Sequence, residues 1–487
     1  MMREMETGSL SSALRLLRLN RADLRIHSGR VETGDVFVAL PGGEQYIADA
    51  VARGAGIIVC APEAAKSITA PVRVIVCPSP RAALGRLARD RYHTGRLEFP
   101  VIGITGTNGK TTITYVLEAF FSALGKKTGV MGTINYRWPG HEEPAPLTTP
   151  DCLTLHRNLA QMRAAGVDVA AMEVSSHALD QERVAGIIFS GAIFTNLTQD
   201  HLDYHAGMDD YFESKTRLFR TPYARGQVAA INADCPYGRK LLARRRRALG
   251  FGLTPPRGKR PYLHGEILSL TPQGLHLRMT YRDKNCAGKI WELNSKLVGA
   301  FNASNLLAVQ ALALGLGYGP EDFAALESFS GVPGRLERID NPQGLDIFVD
   351  YSHTPDALLN AQKTLKDAGF KRLITVFGCG GNRDRGKRPL MGEAVAKWAD
   401  IAVLTSDNPR REDPLAILDD IRPGLAACPH VVEDVDRRKA IARAIALLRP
   451  GDALLVAGKG HEDYQIIGDV KYPFSDQAVI REVLKCS

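Results

Sequence analysis

The chain has 487 residues, 45% of them apolar, with a formal net charge of +9 at pH 7 and eight cysteines. This length exceeds what one hydrophobic core serves, so two to four domains are expected. No apolar run reaches the roughly 18 residues of a membrane span, and the cysteines lack metal-site spacing, which favours reduced thiols. Because residues 1–30 also lack a signal-peptide pattern, we expect a cytoplasmic protein without membrane insertion.

The positive charge is compatible with two kinds of partner. Its densest run, Arg244–Arg247, has no aromatic residues beside it for stacking on bases, and a helix end in solvent explains it more simply. A basic balance also suits a small polyanionic substrate that carries phosphates and carboxylates. We therefore expect small-molecule substrates and no nucleic acid.

The predicted elements alternate between strands and helices from the start of the chain. Residues 1–98 contain three short strands and then a helix, at Asp35–Leu40, Gly56–Cys60, Val72–Cys77 and Arg81–Arg91. From Pro100, a buried strand at Val101–Ile104 runs into a glycine-rich turn. The helix that follows is predicted from apolar residues at helical spacing, namely Ile113, Val116, Leu117, Phe120, Phe121 and Leu124.

The middle and last parts of the chain continue this pattern. Strands are predicted at Val167–Met172, Gly191–Thr195, Val228–Ile231, Asp346–Asp350, Arg372–Phe377, Ile401–Thr405 and Ala453–Ala457. Residues 262–298 alternate in polarity, which predicts strands at a sheet edge, and a helix follows at Asn302–Leu316. Gly331–Gly334 predicts a linker. Strands that alternate with helices are typical of parallel sheets covered on both faces, so the fold class is α/β, with three domains at residues 1–98, 99–333 and 334–487.

The most informative motif is the turn Gly106-Thr107-Asn108-Gly109-Lys110-Thr111-Thr112, which follows a predicted strand. Its glycines let N–H groups converge on an anion, and the start of the next helix adds the positive end of a dipole. Lys110 can reach the β- and γ-phosphates of a nucleotide, and the Thr111 hydroxyl can bind Mg²⁺. Position 104, the first glycine of the common phosphate-loop pattern, is Ile. The turn therefore predicts a nucleotide site of a variant kind.

Polar segments follow the next two predicted strands. One is Glu173–His177, and the other is Thr195–His205, which contains His201. Since α/β folds place their chemistry where parallel strands end, both segments are expected beside the phosphate loop.

The variant loop resembles the nucleotide loop of the Mur ligases and the folylpolyglutamate synthases, which join an amino acid to a carboxylate. Both polar segments closely resemble Mur ligase motifs, and the resemblance extends from Ser28 to about Asp476. It implies a small N-terminal α/β domain that binds UDP, a central P-loop ATPase-type parallel sheet, and a C-terminal Rossmann-like domain that binds the amino acid. It also implies a monomer.

The same resemblance implies acyl-phosphate chemistry. A substrate carboxylate attacks the γ-phosphate of ATP, and an amine then displaces phosphate. The expected catalytic residues are Lys110, Glu173, His201 and Lys215. Mg²⁺ is expected at Thr111, Glu173, His201 and Lys215, the last modified to N6-carboxylysine, a carbamate.

Other segments match substrate contacts of the family. Asn302 lies in a segment similar to the one that contacts adenine, and Arg335 in one that closes on the phosphates. The segments 147–151 and 173–183 resemble the branch that adds the third residue of the peptidoglycan stem peptide. This resemblance implies contacts to UDP-MurNAc-dipeptide from Ser28, Thr148, Thr149, Ser175, Gln181 and Arg183. At Ser28 the family triplet Asp-Ser-Arg reads His-Ser-Gly here.

The tetrapeptide Asp407-Asn408-Pro409-Arg410 resembles the signature of ligases that add meso-2,6-diaminopimelate. That substrate is lysine with a second carboxylate, which a guanidinium can bind through two hydrogen bonds. A lysine substrate would instead meet a like charge at Arg410. The resemblance implies contacts to the amino acid from Arg383, Asp407, Asn408, Pro409, Arg410, Gly458 and Glu462, and Glu462 suits its distal ammonium.

Three alternatives stay open. A lysine-adding ligase would change only the amino acid. A folylpolyglutamate synthase would depend on folate and glutamate, and it does not account for the motif at residues 407–410. A non-catalytic regulator that binds UDP-sugars and ATP would share the loop, but Lys110, Glu173, His201 and Lys215 argue against it.

Overall fold

A computed structural model describes residues 10–18, 21–256, 258–283 and 288–486. Contacts divide the chain into two compact units. The first holds the described residues up to Phe251, with Arg260–Tyr262 and Ala308–Gly319. The second holds Gly252–Lys259, Leu263–Leu307 and the described residues from Pro320 onward. Of the eight predicted thiols, Cys286 lies outside the described residues, as does the side chain of Cys486. Among the described side chains, the free cysteines are Cys60, Cys77, Cys152, Cys235, Cys379 and Cys428.

The first sheet belongs to the first unit and has four parallel strands in chain order. Its elements are α1 (Leu10–Arg18), β1 (Leu24–Arg25), a 3-10 helix Ser28–Arg30, β2 (Val36–Val38), a 3-10 helix Glu44–Tyr46, α2 (Ile47–Ala52), β3 (Ile57–Cys60), α3 (Pro62–Ala65), β4 (Arg73–Val76) and α4 (Pro80–Arg91). All side chains of β2 and β3 are buried, because α1 and α4 cover one face and α2 and α3 the other. The three predicted strands are confirmed, although each is shorter than predicted.

The second sheet, also in the first unit, is built around a central strand. Its elements are β5 (Val101–Thr105), α5 (Lys110–Ala123), β6 (Thr128–Met131), β7 (Asn135–Trp138), β8 (His141–Pro144), α6 (Cys152–Ala164), β9 (Val169–Glu173), α7 (Ser176–Asp180), β10 (Gly191–Phe194), α8 (Met208–Thr216), a 3-10 helix Arg217–Phe219, β11 (Val228–Asn232), α9 (Pro236–Arg244) and β12 (Leu249–Gly252). Their spatial order is β12-β11-β10-β5-β9-β6-β7-β8, and the pairs from β12 to β6 are parallel.

The register of the central strands determines where the polar turns meet. Ile104 of β5 pairs with Glu173 of β9, and Thr105 pairs with Phe194 of β10. The turns that follow these three strands therefore leave the sheet at the same edge, which is where open α/β sheets bind ligands.

The sheet departs from the parallel arrangement at its far edge. β7 runs antiparallel to both β6 and β8. Two short connections cause these reversals: residues 132–134 join β6 to β7, and the two-residue turn Pro139-Gly140, of the kind that closes hairpins, joins β7 to β8. Trp138 and His141 stack across this turn with ring centroids 3.9 Å apart.

The remaining elements lie largely in the second unit. They begin with the antiparallel strands β13 (Tyr262–Thr271), β14 (Gly274–Arg282) and β15 (Gly288–Ser295), then α10 (Ala300–Gly315) and a 3-10 helix Pro320–Leu326. The strands predicted from the alternation in residues 262–298 are confirmed.

The third sheet completes the second unit. Its elements are β16 (Glu337–Arg338), β17 (Asp346–Asp350), α11 (Pro355–Asp367), β18 (Arg372–Phe377), α12 (Lys387–Ala396), β19 (Ile401–Leu404), α13 (Pro414–Ile421), a 3-10 helix Arg422–Leu425, β20 (Val431–Glu433), α14 (Arg437–Ala446), β21 (Asp452–Ala457), β22 (Tyr464–Ile467), β23 (Val470–Pro473) and α15 (Asp476–Cys486). The order is β16-β17-β21-β18-β19-β20, parallel except for β16, and β22 and β23 form a separate hairpin. Two apolar clusters cover its faces. Across the described ranges, no helix has the length and apolarity of a membrane span.

Candidate active site

The turn after β5 is held by the turn after β10. Thr107 N donates to Asn196 O at 3.0 Å, and Asn108 N donates to Asn196 Oδ1 at 2.9 Å. Thr195 Oγ1 in turn donates to Asn108 O at 2.6 Å. Gly106 has a φ of +151°, and a Cβ at this position would overlap Thr195 Oγ1. Glycine is therefore required where the two turns touch.

Helix α5 begins directly after this loop. Gly109 precedes it with a φ of +88°, and Lys110 is its first residue. Thr111 and Thr112 lie buried in the first turn. The first N–H groups of a helix lack helical acceptors, and with the helix dipole they attract phosphate. The seven residues predicted for the nucleotide loop thus form one continuous loop and helix start.

Two lysines converge on one carbonyl oxygen of this loop. Lys110 Nζ lies 3.0 Å from Gly106 O, and Lys215 Nζ lies 2.9 Å from the same atom. Lys215, on α8, is only 1% exposed, and its Nζ lies 4.6 Å from the ring centre of Tyr211. Two ammonium groups that contact the same oxygen atom repel each other at this short separation. Burial, and then the charge of Lys110, lower the pKa of Lys215 well below its usual value, which favours the neutral, nucleophilic amine.

Glu173 ends β9, and its carboxylate is fixed by the turn after β6. Thr133 donates its N–H to Glu173 Oε1 at 2.8 Å and its hydroxyl to Oε2 at 3.1 Å. A Cβ on Gly132 would lie 2.5 Å from Glu173 Oε1, so the absence of a side chain there leaves room for the carboxylate. Sequence reasoning missed Thr133 and Gly132, because they lie about 40 residues before Glu173 in a segment without a motif.

His201 lies in the turn after β10 with a φ of +54°, a conformation that few non-glycine residues adopt. Its Nε2 lies 3.5 Å from Asp200 Oδ2, and its ring centre lies 4.8 Å from that of His177. Burial lowers the pKa of His201, which favours the neutral imidazole, the form that binds metals.

The donor set suits Mg²⁺ once Lys215 is modified. In the part of the chain that the structure describes, no three His, Cys, Asp or Glu side chains cluster as a metal site. Glu173 supplies a carboxylate, Thr111 a hydroxyl and His201 an imidazole, but the ammonium groups of Lys110 and Lys215 would repel a cation. A carbamate on Lys215 would replace one positive charge with oxygen ligands, which Mg²⁺ prefers.

Residues predicted for the UDP-MurNAc-dipeptide continue from Glu173. Thr149 Oγ1 donates to Glu173 O at 2.9 Å and accepts the N–H of Ser175 at 3.0 Å. Thr148 Oγ1 lies 3.2 Å from Thr133 Oγ1, which also bonds to Glu173. Thr148 is therefore linked through Thr133 to the carboxylate that was predicted to bind Mg²⁺, whereas Thr149 and Ser175 are linked to the main chain of Glu173.

Arg183 and Gln181 extend this group. Arg183 Nη1 donates to Thr149 O at 3.2 Å, while its Nε and Nη2 donate to Gln181 Oε1 at 2.9 and 2.7 Å. Burial lowers the pKa of the Arg183 guanidinium, which means that the surroundings destabilise its charge. An anionic substrate group beside it would restore that stabilisation.

Three predicted residues lie elsewhere. Ser28 is in the first 3-10 helix of the first sheet, where it hydrogen bonds to Asp49. Asn302 and Arg335 belong to the second unit. The Arg335 guanidinium lies 5.2 Å from the ring centre of Tyr351, and its buried Nε has no hydrogen-bond partner among the residues that the structure describes. A buried donor of this kind suits an anionic ligand.

In the third sheet, the turns after the adjacent strands β18 and β19 pack tightly. A Cβ on Gly381 would overlap Pro409 O, and a Cβ on Gly380 would lie 2.9 Å from Arg410 Nη1. Arg410 Nη1 donates to Gly381 O at 2.9 Å. The two glycines thus permit the close approach that holds the guanidinium in place.

The loop after β21 adds an acidic group to these turns. Asn408 Nδ2 donates to Glu462 Oε2 at 3.0 Å. A Cβ on Gly458 would lie 2.6 Å from Asp407 Oδ2, so these two segments also touch. With Arg383 in the turn after β18, the ends of β18, β19 and β21 bring together all seven residues predicted for the amino acid. Arg410 and Glu462 give this site a cationic and an anionic group.

Two buried charged residues that support these turns, Arg388 and Lys459, were not predicted from the sequence. Arg388 is fully buried and donates to Glu412 Oε2 at 2.9 Å and to Asp420 Oδ2 at 2.8 Å. Glu412 also accepts the N–H of Asn382, in the turn after β18. Lys459 is fully buried beside Glu462. Neither Arg388 nor Lys459 stands at a motif position that indicates ligand contact. Their charge is the one signal in the sequence that could have suggested them.

Residues 104–313 match the model of the Mur ligase middle domain, and residues 334–460 match that of the Mur ligase glutamate ligase domain. The UDP-N-acetylmuramoyl-L-alanyl-D-glutamate–2,6-diaminopimelate ligase of Lawsonia intracellularis is 57% identical over 466 residues, which are 95% of each chain. The ligase of that name from Gloeobacter violaceus is 43% identical over 469 residues, covering 95% of this chain and 94% of the relative.

A solved structure of a ligase of that name gives a TM-score of 0.69 at 32% identity, and the match covers 95% of this chain and 94% of the other. It confirms the predicted α/β fold with three sheets in series. With this identity and coverage, the chain belongs to the Mur ligase family.

Proposed function

We propose that this chain is an ATP-dependent ligase of peptidoglycan synthesis, which joins meso-2,6-diaminopimelate to UDP-N-acetylmuramoyl-L-alanyl-D-glutamate. The observation that carries the proposal is the Arg410 guanidinium held at Gly381 O, in the same group of turns as the Glu462 carboxylate. These two charges match the extra carboxylate and ammonium at the distal end of diaminopimelate. The relatives at 57% and 43% identity carry this activity in their names.

The reaction begins by activating a carboxylate. The D-glutamate carboxylate attacks the γ-phosphorus of ATP, and the bond to ADP breaks as the acyl phosphate forms. The amine of the amino acid then attacks the acyl carbon, loses a proton and expels phosphate, which leaves an amide. Lys110 and the N–H groups of residues 106–112 bind the phosphates and stabilise the negative charge on the transferring group.

Mg²⁺ would be held by Thr111, Glu173, His201 and the carbamate of Lys215. When bound, the ion screens the repulsion between ATP and the attacking carboxylate. The two hydrogen bonds from Thr133 orient Glu173 before the ion arrives.

The carbamate forms when neutral Lys215 Nζ attacks the carbon of CO₂. The new N–C bond forms as the amine loses a proton, which gives N6-carboxylysine. The buried position of Lys215 and its closeness to Lys110 at Gly106 O favour the reactive amine. Once modified, the side chain attracts Lys110 instead of repelling it, so the modification relieves the repulsion between the two ammonium groups.

The remaining substrate contacts divide between the sheets. Ser28 binds the uridine diphosphate, Asn302 the adenine, and Arg335 the phosphates of ATP. The dipeptide of the nucleotide substrate is bound by Thr148, Thr149, Ser175, Gln181 and Arg183. The amino acid is bound by Arg383, Asp407, Asn408, Pro409, Arg410, Gly458 and Glu462. Each sheet corresponds to one substrate-binding domain, with boundaries at 98/99 and 333/334.

We infer that the chain acts as a monomer in the cytoplasm. ATP and nucleotide-activated sugars are made there, and the reduced thiols suit that compartment. Gel filtration with light scattering of the purified protein would detect a dimer, which would contradict the monomer.

The test of the function is release of phosphate from ATP by the purified chain with Mg²⁺. Release is expected only when UDP-MurNAc-L-Ala-D-Glu and meso-diaminopimelate are both present, with the amide product identified by mass spectrometry. Lysine as the better amine would identify the lysine-adding ligase. Dependence on folate and glutamate would identify a folylpolyglutamate synthase, and binding without phosphate release would identify a non-catalytic regulator.

A further inference from the structure

A buried ammonium group lies beside the carboxylate that is assigned to the amino-acid substrate. The Lys459 side chain is 0% exposed, and its Nζ lies 3.1 Å from Glu462 Oε2 and 3.2 Å from Asn408 Oδ1. We propose that Lys459 is a positioning residue that orients Glu462 and Asn408 to receive the distal ammonium of a diamino dicarboxylate. This inference rests on the proposed function and assigns a specificity role to a residue outside the substrate contacts.

The hydrogen bonds around Lys459 fix the orientation of the Glu462 and Asn408 side chains. Glu462 Oε2 accepts both from Lys459 Nζ and from Asn408 Nδ2, the latter at 3.0 Å. Asn408 Oδ1 accepts from Lys459 Nζ and from the N–H of Ile466 at 2.9 Å. Because these bonds to Glu462 all end on Oε2, Oε1 is the carboxylate oxygen that a substrate ammonium would meet.

The hairpin formed by β22 and β23 keeps this arrangement together. Arg410 N donates to Ile466 O at 3.0 Å, and Gly468 N donates to Arg410 O at 2.7 Å. Gln465 Nε2 donates to Asp407 O at 2.6 Å. The main chain of the turn at residues 407–410 is therefore fixed by the hairpin, whereas the side chain of Asn408 is held jointly by Lys459 and the N–H of Ile466. Lys459 thus acts on side-chain orientation in a turn whose backbone is already held.

The charges explain why a lysine is needed at this position. A carboxylate with 16% of its side chain exposed is costly unless it is paired, and Lys459 supplies the pair before any substrate binds. With this pairing the carboxylate keeps one position in the same group of turns as Arg410. The ammonium and the carboxylate at the distal end of the substrate then meet partners that are already oriented.

The test compares Lys459→Met with the wild-type enzyme on two amino acids. One is meso-diaminopimelate, and the other is 2-aminopimelate, which keeps the distal carboxylate but lacks the distal ammonium. Losing a hydrogen bond to a charged group predicts a rise of about 10-fold or more in KM for diaminopimelate. The KM values for 2-aminopimelate and ATP should change by less than about 2-fold, since neither ligand uses Glu462 in this way.

A double-mutant cycle with Glu462→Gln covers the case in which Lys459→Met alone does not fold. Removing the carboxylate removes the uncompensated charge, and Lys459→Met should then raise KM for diaminopimelate by less than about 2-fold further, because Lys459 acts through Glu462. An equal rise in KM for both amino acids, or additive effects in the cycle, would show that Lys459 merely supports the fold. A wild-type enzyme that does not use diaminopimelate would instead overturn the proposed function.

Discussion

Two glycine-rich turns in this chain have the same local construction and different chemistry. The first follows β5 and packs against the turn after β10, where a Cβ on Gly106 would overlap Thr195 Oγ1. The second follows β18 and packs against the turn after β19, where a Cβ on Gly381 would overlap Pro409 O. In both, the glycine lets two neighbouring turns at the edge of a parallel sheet come into contact.

The difference lies in where the next helix begins. After the first turn, α5 begins at Lys110, directly after Gly109, so the loop offers main-chain N–H groups to an anion. After the second turn, α12 begins only at Lys387. Within that turn, the carbonyl of Gly381 accepts a hydrogen bond from Arg410. The second turn instead contacts the side chain of Arg410, a cation that we propose binds the distal carboxylate of the substrate. The glycines of a turn predict that it packs closely against its neighbour. The number of residues between the turn and the next helix indicates which kind of ligand the turn suits.

The largest effect is expected from Lys215→Ala, which changes the first site without altering its glycines. Loss of the carbamate should lower turnover about 10²- to 10³-fold, the usual cost of removing a charge that stabilises a transition state. Added short carboxylic acids should restore part of the rate. Lys240→Ala removes a lysine that is 57% exposed and serves as the control with unchanged activity.

The carbamate on Lys215 can also be detected by spectroscopy. Wild-type enzyme supplied with isotope-labelled CO₂ should show a carbamate signal that is absent in Lys215→Ala. An active wild-type enzyme with an unmodified Lys215 would contradict the carbamate.

A somewhat smaller effect is expected from Gly106→Ala. The new Cβ collides with Thr195, and a φ of +151° is strained for any residue with a side chain, so the loop must move. Turnover should fall about 10²-fold and KM for ATP should rise, because misplacement of a catalytic group by about 1 Å has effects of this size. Gly288→Ala, where the nearest atom to the new Cβ is Tyr281 O at 3.8 Å, should behave as wild type. Unchanged KM for ATP in Gly106→Ala would refute the role given to this contact.

Gly381→Ala tests the second turn in the same way. The added Cβ pushes against Pro409 O and moves the segment that holds Arg410. KM for diaminopimelate should rise about 10-fold, with KM for ATP unchanged, as expected when one of two charge-assisted hydrogen bonds is weakened. If KM for ATP rose in parallel, the two turns would not be separate binding sites.

These two turns also show what the sequence could predict. The nucleotide loop was predicted because its strand, glycines, lysine and helix start are contiguous, so one local motif contains the whole loop. The residues that contact the amino-acid substrate were predicted from a resemblance. The supporting roles of Lys459 and Arg388 were not predicted, because their partners include residues of other turns and helices. Thr133 was missed for the same reason: its bond to Glu173 exists only after β6 and β9 pair.

Competition between two amino acids tests most directly whether Arg410 makes the enzyme prefer meso-diaminopimelate over L-lysine. The enzyme is given equal concentrations of meso-diaminopimelate and L-lysine, and the amide products are counted by mass spectrometry. Wild type should favour diaminopimelate by about 100-fold or more, and Arg410→Ala should lose most of that preference while lysine addition falls little, since the bidentate contact is made only to the second carboxylate. A preference that survives unchanged in Arg410→Ala would contradict the account.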